Sequence, residues 1–348
     1  MVKPKINILI VDDSSIMRHL IAHVLEENED FLVVGTANNG KEAISQNRQL
    51  RPDVVLMDMN MGDYDGPFAV DQIMQSPWPV PIIILSALGN SDMGPILGAL
   101  ESGAYDYVNK SPSHNSDIKA IKVPLFEKIY AAKETDIATL LGNKDQKRNT
   151  APHTFDQFLA YEVILLGAST GGPSAVESFI SRVPENLPLP VIITQHMPAS
   201  FVPSFAARLN EMNNKEVVLA SSGTSLEKGK IYLLPGGHNT VLRKIGSEIK
   251  FRRSRRKFKA FNDPSIDGLF ESAVNIFGAK CIGVLMTGMG RDGAEGMLKV
   301  KNAGGLTIAQ SKETCVVYGM PKAANLAGAV QYNIKLREIP SFVISAIS

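Results

Sequence analysis

A serine stands among small residues at 167–171, Gly-Ala-Ser-Thr-Gly, directly after the apolar run 163–166. The stretch matches the G-x-S-x-G pattern, which places a serine on a tight turn between a strand and a helix and exposes its hydroxyl. It is also compatible with a glycine-rich turn that offers helix N–H groups to a phosphate. The full G-x-G-x-x-G fingerprint of dinucleotide sites is missing. Ser169 is therefore a candidate nucleophile, with phosphate binding as the open alternative.

A nucleophilic serine needs a base within reach and a third group to orient that base. His196 is the best placed of the six histidines, because it ends the apolar run 191–195 and sequential strands are often neighbours. Asp292 lies in the glycine-rich segment 287–297 after another apolar run. As an isolated residue it is equally well explained as a helix N-cap. The glycine-rich segment could also direct backbone N–H groups at an oxyanion.

A second group of chemically useful residues lies in the first half of the chain, where predicted strands end. These residues are Asp12, Asp13, Asp58, Ser86 and Lys110. Carboxylates on adjacent strand ends repel each other unless a cation lies among them, and oxygen ligands of this kind suit Mg²⁺. A lysine and a hydroxyl nearby could hold a phosphoryl group on one carboxylate. Each residue alone has an ordinary explanation as a cap, a turn residue or a surface charge, but the joint pattern favours a phosphorylation site.

The elements that must position these groups form two sets of short aliphatic runs alternating with amphipathic stretches. This alternation predicts parallel sheets built from right-handed crossovers. We therefore predict an α/β protein with two doubly wound parallel-sheet domains, a flavodoxin-like one at residues 5–125 and a larger one at 159–348. Residues 126–158 are predicted to be a linker: 126–140 still look helical, and 141–158 are polar with few aliphatic residues.

Composition narrows the function classes. The net charge is +1 and no apolar run is long enough to span a bilayer, so neither nucleic-acid binding nor membrane insertion is expected. The two cysteines have no metal-ligand spacing, and we expect a reduced, cytoplasmic protein. Residues 250–259 are the exception to the even charge, with seven basic groups in ten positions. They are either a solvated strand and turn or a surface that faces an acidic partner.

The first half resembles the receiver domain of two-component response regulators, through Asp12-Asp13, Asp58, Ser86 and Lys110. The resemblance implies that Asp58 accepts a phosphoryl group and that Ser86 and Lys110 contact it. Asp12, Asp13, Asp58 and the backbone carbonyl of Asn60 would hold Mg²⁺. Two positions depart from the usual pattern: Gly62 stands where a proline is usual, and Ser111 separates Lys110 from Pro112.

The second half resembles the catalytic domain of chemotaxis-type protein-glutamate methylesterases. The matching runs are GASTGGP (167–173), ITQHMP (193–198), LLPGG (233–237), DPSID (263–267), TGMGRDGAEGM (287–297) and AQSKETCVVYGMP (309–321). By this resemblance Ser169 is the nucleophile, His196 the base, Asp292 its orienting acid and Thr170 a residue that positions the histidine. The backbone N–H of Met289 would line the oxyanion hole. Asp263 departs from an expected arginine.

Together the two resemblances imply a phosphorylation-activated esterase for glutamate methyl esters on methyl-accepting chemoreceptors, which could also deamidate receptor glutamines. Its phosphodonor would be a chemotaxis histidine kinase, with Mg²⁺ required in the receiver and no cofactor in the catalytic domain. The competing hypothesis is a receiver-gated binding module that holds a phosphate or nucleotide at 167–173. A transcriptional regulator is disfavoured because the second half alternates strands with helices and shows no helix-turn-helix.

Overall fold

A computed structural model describes residues 4–86, 93–110, 121–141, 160–213, 215–258 and 263–347. The chain divides into two compact units, Met1–Gln146 and Lys147–Ser348. This division falls inside the predicted linker, while the domain bounds 5–125, 126–158 and 159–348 stay a prediction. Ser111, Pro112 and most of the polar stretch 141–158 lie outside the described residues.

The first unit is a five-stranded parallel sheet with helices between the strands. Its strand order is β2-β1-β3-β4-β5. The strands are β1 (Ile6–Val11), β2 (Phe31–Ala37), β3 (Val54–Asp58), β4 (Ile82–Ser86) and β5 (Asp106–Asn109). The helices are α1 (Ser15–Glu26), α2 (Gly40–Leu50), α3 (Gly66–Met74), α4 (Gly94–Glu101), α5 (Lys122–Lys133) and α6 (Ile137–Leu141).

The flavodoxin-like order explains why β1, β3 and β4 are nearly continuous apolar runs. These strands are covered on both faces, so almost every residue in them is buried. The order also places the carboxyl ends of β1 and β3 side by side, at the switch point where ligands bind in open α/β sheets. Helix α5 runs past residue 125 and buries Leu125, Ile129 and Ala132, so these helical residues belong to the first unit.

The second unit is built on a seven-stranded parallel sheet with the order β14-β13-β12-β6-β7-β9-β8. Its strands are β6 (Val163–Ala168), β7 (Val191–Gln195), β8 (Val217–Leu219), β9 (Ile231–Leu233), β12 (Cys281–Leu285), β13 (Leu306–Gln310) and β14 (Tyr332–Ile334). Its helices are α7 (Gly172–Ile180), α8 (Val202–Glu211), α9 (Ile266–Phe277), α10 (Ala294–Asn302), α11 (Met320–Leu326) and α12 (Ile339–Ile347). The prediction of two parallel α/β units is confirmed.

A feature that the sequence analysis missed interrupts the second unit. Strands β10 (Asn239–Ile245) and β11 (Glu248–Ser254) form a separate antiparallel hairpin. Phe251 anchors it, since its ring lies 5.0 Å from that of Tyr232 and is fully buried. Charged residues occupy most of the remaining β11 positions, which hides the apolar alternation expected of a strand.

None of the helices in the described ranges is both long enough and apolar enough to cross a lipid bilayer.

Phe270 tests how strongly the second unit depends on the packing of α9. Its side chain is fully buried against two glycines, Gly283 of β12 and Gly296 of α10. Phe270→Ala leaves a cavity there, and we expect the free energy of unfolding to fall by about 3–5 kcal/mol. Chemical denaturation measures this change. Leu326→Ala, at a position that is 79% exposed, is the control and should cost little. Equal effects of the two substitutions would contradict the described core.

Candidate functional site

Ser169 lies at the centre of the carboxyl edge of the second sheet. It follows β6, which pairs with β7 on one side and β12 on the other. Its backbone is bonded to the segments after both neighbours: the Ser169 N–H donates to the Thr287 carbonyl at 3.0 Å, and Gln195 Nε2 donates to the Ser169 carbonyl at 2.9 Å. The half-buried serine therefore stands on a turn held from two sides, at the switch point of the sheet.

The glycines after Ser169 are required by close packing. Gly171 has a φ of +72°, which a side chain rarely adopts. A Cβ there would lie 2.6 Å from Val316, and one on Gly172 would lie 2.1 Å from Gln195 Oε1. The Gly172 N–H already donates to the Ser169 carbonyl at 2.7 Å. Protein atoms thus occupy the space and one of the donors that a phosphate would need.

His196 is at the end of β7, as the sequence predicts, and its backbone N–H donates to the Ala168 carbonyl at 3.0 Å. Its Nε2 lies 2.8 Å from Asp292 Oδ2, and the ring is 14% exposed. This contact joins two of the three predicted residues. Within the described ranges, no hydrogen bond links Ser169 Oγ to His196. Ser169 instead lies near His196 because β6 and β7, the strands that precede the two residues, are paired.

Asp292 is a fully buried carboxylate, and its oxygens accept five hydrogen bonds. The donors lie at 2.8 to 3.2 Å and are His196 Nε2, Ser265 Oγ and the backbone N–H groups of Ile266, Asp267 and Gly293. Burial raises the pKa of Asp292, but the hydrogen bond and charge of His196 and the two N–H groups of the Ile266–Asp267 turn outweigh it. The pKa therefore lies below its usual value.

Asp292 binds the start of α9 and is not the N-cap of α10, the helix that follows it in the chain. The N-cap of α10 is Gly293, which has no side chain to cap that helix. The carboxylate instead receives the first N–H groups of α9, where the positive end of the helix dipole favours a negative charge. Capping and orientation of His196 are thus performed by the same carboxylate.

Asp267 is a buried residue of this site that the sequence analysis did not single out. Its Oδ1 accepts the Gly296 N–H of the first turn of α10 at 2.6 Å, while its own N–H donates to Asp292. Asp292 therefore binds the start of α9, the helix that carries Asp267. Asp267 in turn binds the start of α10, the helix that follows Asp292. Burial, followed by the charge of Asp292, raises the pKa of Asp267 to about 7. The run PSID contains the sequence signal of a helix start, because Ser265 is the N-cap of α9 and Asp267 lies in its first turn.

Gly288 brings the glycine-rich segment against the serine. A Cβ on Gly288 would lie 2.7 Å from the Ser169 Cβ and 2.4 Å from the Met320 sulfur, so only glycine fits. The following residue, Met289, is half-buried, and its peptide directly follows this contact. Thr170 is buried, and its carbonyl accepts the Thr287 hydroxyl at 3.0 Å. All five predicted catalytic residues thus lie on segments that are bonded or packed together around Ser169.

The first unit brings three of its predicted residues into direct contact. Lys110 Nζ lies 2.5 Å from Asp12 Oδ2 and 2.5 Å from Asp58 Oδ1, and all three side chains are buried. Burial raises the pKa of Asp58 and the charge of Lys110 partly offsets it; Asp12 raises it further, so the pKa stays above its usual value. Two carboxylates share one ammonium group here.

The other predicted phosphorylation residues surround this cluster less directly. Ser86 is buried, and its carbonyl accepts the Lys110 N–H at 2.8 Å. Asp13 and Asn60 are exposed, and the Asn60 N–H donates to Asp58 Oδ2 at 3.0 Å. No set of three or more His, Cys, Asp or Glu side chains is arranged to hold a metal ion in the part of the chain that the structure describes.

The departure at Gly62 has a structural basis. Gly62 has a φ of +72° and open space around it. Proline is locked near −65° and cannot adopt this conformation. The loop after Asp58 therefore follows a path that a proline at this position would exclude.

Comparison with known proteins assigns a family to each half of the chain. Residues 164–343 match the family model described as CheB methylesterase, and residues 8–122 match that of the response regulator receiver domain. A protein-glutamate methylesterase/protein-glutamine glutaminase of Methanococcoides burtonii is 39% identical, with 98% of each chain covered. One from Carboxydothermus hydrogenoformans is 38% identical, with 99% of each chain covered.

A solved structure adds the same relationship for the second unit. The Thermotoga maritima CheB methylesterase catalytic domain is 35% identical, with a TM-score of 0.52, and covers 53% of this chain and 98% of its own. The chain is a response regulator in which a receiver domain precedes an α/β catalytic domain. It belongs to the CheB methylesterase family.

The raised pKa of Asp267 predicts a pH-dependent stability difference. A folded-state pKa of about 7 means that the stabilisation from this group is complete below its ordinary pKa of 3.8 and is lost as the pH rises through about 7. Asp267→Asn keeps an acceptor for the Gly296 N–H but cannot ionise. The variant should therefore gain stability relative to wild type between pH 5 and pH 8.

Calorimetric unfolding of wild type and the Asp267→Asn variant at pH 5 and pH 8 measures this difference. The first unit is identical in the two proteins, so its own pH dependence cancels. Glu211→Gln removes an exposed carboxylate from α8 and is the control. A difference between the Asp267→Asn variant and wild type that is independent of pH would contradict the assignment.

Proposed function

We propose that this chain hydrolyses methyl esters of glutamate side chains on chemoreceptor proteins and that phosphorylation of its receiver domain raises this activity. The observation that carries the catalytic part is the contact of His196 with the buried Asp292, at the strand end next to Ser169. In addition, the relatives with 38% and 39% identity over nearly the whole chain are named for this esterase and for a glutaminase.

The roles follow from which atoms are engaged. Asp292 accepts from His196 Nε2, which leaves Nδ1 with its lone pair as the atom that can take a proton from Ser169. Ser169 Oγ then attacks the ester carbonyl, and a bond forms between Oγ and the carbonyl carbon. The proton on Nδ1 passes to the departing methoxide, and methanol leaves a glutamyl-enzyme. The negative charge of Asp292 stabilises the imidazolium while the proton is held.

A water molecule completes the cycle by the same route. His196 takes a proton from water, the hydroxide adds to the acyl carbon, and the bond to Ser169 Oγ breaks as the serine is reprotonated. The product is a free glutamate carboxylate. The Met289 N–H is proposed to donate to the oxyanion in both steps, and Thr170 to support the position of His196. Attack on a glutamine amide would release ammonia in the same way.

The alternative of a non-enzymatic phosphate-binding module gains no support. Val316 and Gln195 fill the space beside the glycine turn, and the Gly172 N–H is already used. That alternative also gives the His196–Asp292 pair no function. Burying the Asp292 charge costs free energy, which five hydrogen bonds must offset, so an arrangement without a function is not expected.

Ser169→Ala tests the nucleophile. Methanol release from methylated receptor should fall by about three orders of magnitude or more, because alanine has no hydroxyl to form the bond to the acyl carbon. Gas chromatography of released methanol measures the rate. Ser181→Ala, at the exposed end of α7, is the matched control and should keep wild-type activity. Residual release above about a tenth of the wild-type rate would rule out Ser169 as the nucleophile.

The first unit is proposed to be the phosphorylation switch, with Asp58 as the acceptor. An Asp58 oxygen would form a bond to phosphorus as the bond to the donor breaks, and Lys110 and Ser86 would contact the phosphoryl oxygens. The proposed phosphodonor is a chemotaxis histidine kinase. The buried contact of Lys110 with both Asp12 and Asp58 supports this arrangement, because it places a fixed positive charge beside the acceptor.

Magnesium is proposed as the cation that phosphorylation needs. Two carboxylates, Asp12 and Asp58, share one ammonium group, and the exposed Asp13 directly follows Asp12, so this strand edge carries excess negative charge. Carboxylate and carbonyl oxygens are the ligands that Mg²⁺ prefers, and the Asn60 carbonyl would add to them. The donor set therefore fits the ion. Bound there, it would neutralise the incoming phosphoryl oxygens.

Asp58→Asn tests the switch. Acetyl phosphate with Mg²⁺ should raise methanol release by wild-type protein several-fold and leave the variant at its basal rate, because an amide cannot form the acyl phosphate. Asp63→Asn removes an exposed carboxylate from the same loop and should respond like wild type. An Asp58→Asn variant that is still stimulated would place the phosphorylation site elsewhere.

A further inference from the structure

The β10–β11 hairpin and the segment after it carry a dense positive surface in a chain with a net charge of only +1. Its exposed basic residues are Arg243, Lys244, Arg252, Arg253, Arg255 and Lys257, called here the basic surface. Within the described residues none of these six forms an ion pair with a carboxylate. Two neighbours are neutralised: Lys250 pairs with Glu248, and Arg256 pairs with Glu271.

These charges are not explained by the stability of the hairpin. Arg243 lies directly opposite Lys250 across the two strands, so it gains no stabilising cross-strand ion pair there. The hairpin is held by the buried Phe251 and by the hydrogen bond from the Leu242 N–H to Ser272 Oγ on α9, at 3.0 Å. A solvated strand would need no such accumulation of one charge.

The backbone between Arg255 and Lys257 is linked to Asp292 by hydrogen bonds through two residues. Asn239, at the base of the hairpin, donates through Nδ2 to the Arg256 carbonyl at 3.1 Å and accepts the Ser265 N–H at 2.7 Å. Ser265 Oγ in turn donates to Asp292 at 3.2 Å. Two residues, Asn239 and Ser265, therefore connect the backbone of the positive segment to the carboxylate that orients His196.

A groove continues from this point. It has a volume of about 370 Å³ and lies between the hairpin and α9, the helix whose first turn binds Asp292. Arg243, Lys244 and Arg256 line one side, and Glu271, Ser272 and Asn275 line the other. Val241, Leu242, Phe258 and Ile276 add apolar lining, so the groove suits a peptide segment that presents both carboxylates and apolar side chains.

We propose that the basic surface and this groove bind an acidic segment of the substrate protein, next to the esterified glutamate that enters the active site. This inference rests on the proposed esterase function. A protein that carries several modifiable glutamates exposes a carboxylate at each site that is not esterified. Binding those carboxylates would deliver the remaining ester to Ser169 and favour receptor over small esters. Charge complementarity is what selects this occupant.

The test reverses two charges of the basic surface, in an Arg252→Glu/Arg255→Glu variant of the full chain. The KM for methylated receptor should rise about tenfold or more, while kcat and the turnover of p-nitrophenyl acetate change less than twofold. The wild-type KM should also rise with salt, because salt screens exposed charges, and the variant should lose most of that dependence. Lys228→Glu/Lys335→Glu reverses two exposed charges elsewhere on the same unit. This control should leave the receptor KM and the turnover of p-nitrophenyl acetate unchanged.

An unchanged receptor KM in the reversed variant would overturn the inference, and so would an equal loss on receptor and small ester. If the variant does not fold, Arg252→Gln/Arg255→Gln should show the same selective rise at smaller size, and its absence would count equally against the inference. Failure of the proposed function is distinguishable, because wild-type protein would then release no methanol from the receptor at all.

Discussion

The second unit depends on keeping one buried carboxylate charged. Asp292 has no contact with water, and an unpaired charge in that position would cost several kcal/mol. Five donors prevent this, and they come from the residue after β7, from the N-cap and first turn of α9 and from the N-cap of α10. The same hydrogen bonds that keep Asp292 ionised therefore fix two helices and the imidazole of His196 with respect to one another. The packing of this unit and the position of the His196 ring thus depend on one set of contacts.

The serine turn shows the complementary constraint, which is space. Gly171, Gly172 and Gly288 are each in contact with side chains that a Cβ would strike. Their packing brings the segments after β6, β7 and β12 close enough for Ser169 to approach the His196–Asp292 pair. In the first unit, charge again sets the geometry, since Lys110 holds Asp12 and Asp58 together where β1 and β3 end. Each unit thus brings its candidate residues together at the carboxyl edge of a parallel sheet.

Much of this arrangement was predictable because strand ends are visible in sequence. The runs before Asp58, Ser169 and His196 are apolar, and each stops at a polar residue that a parallel sheet brings to one edge. What the sequence could not reveal is the binding of Asp292 by the Ile266 and Asp267 N–H groups, because a backbone donor leaves no trace in residue type. The role of Asp267 was hidden for the same reason. The β10–β11 hairpin was missed since its outward charges mask the period of its buried positions.

The central claim is that the His196–Asp292 pair activates Ser169, and covalent labelling tests it most directly. Full-length protein would be treated with a fluorophosphonate, which reacts only with an activated hydroxyl, and the labelled peptide would be identified by mass spectrometry. We expect a single label on Ser169, formed at least about a hundredfold more slowly when His196 is replaced by Gln. A label on another residue, or an equal rate in the His196→Gln variant, would contradict it.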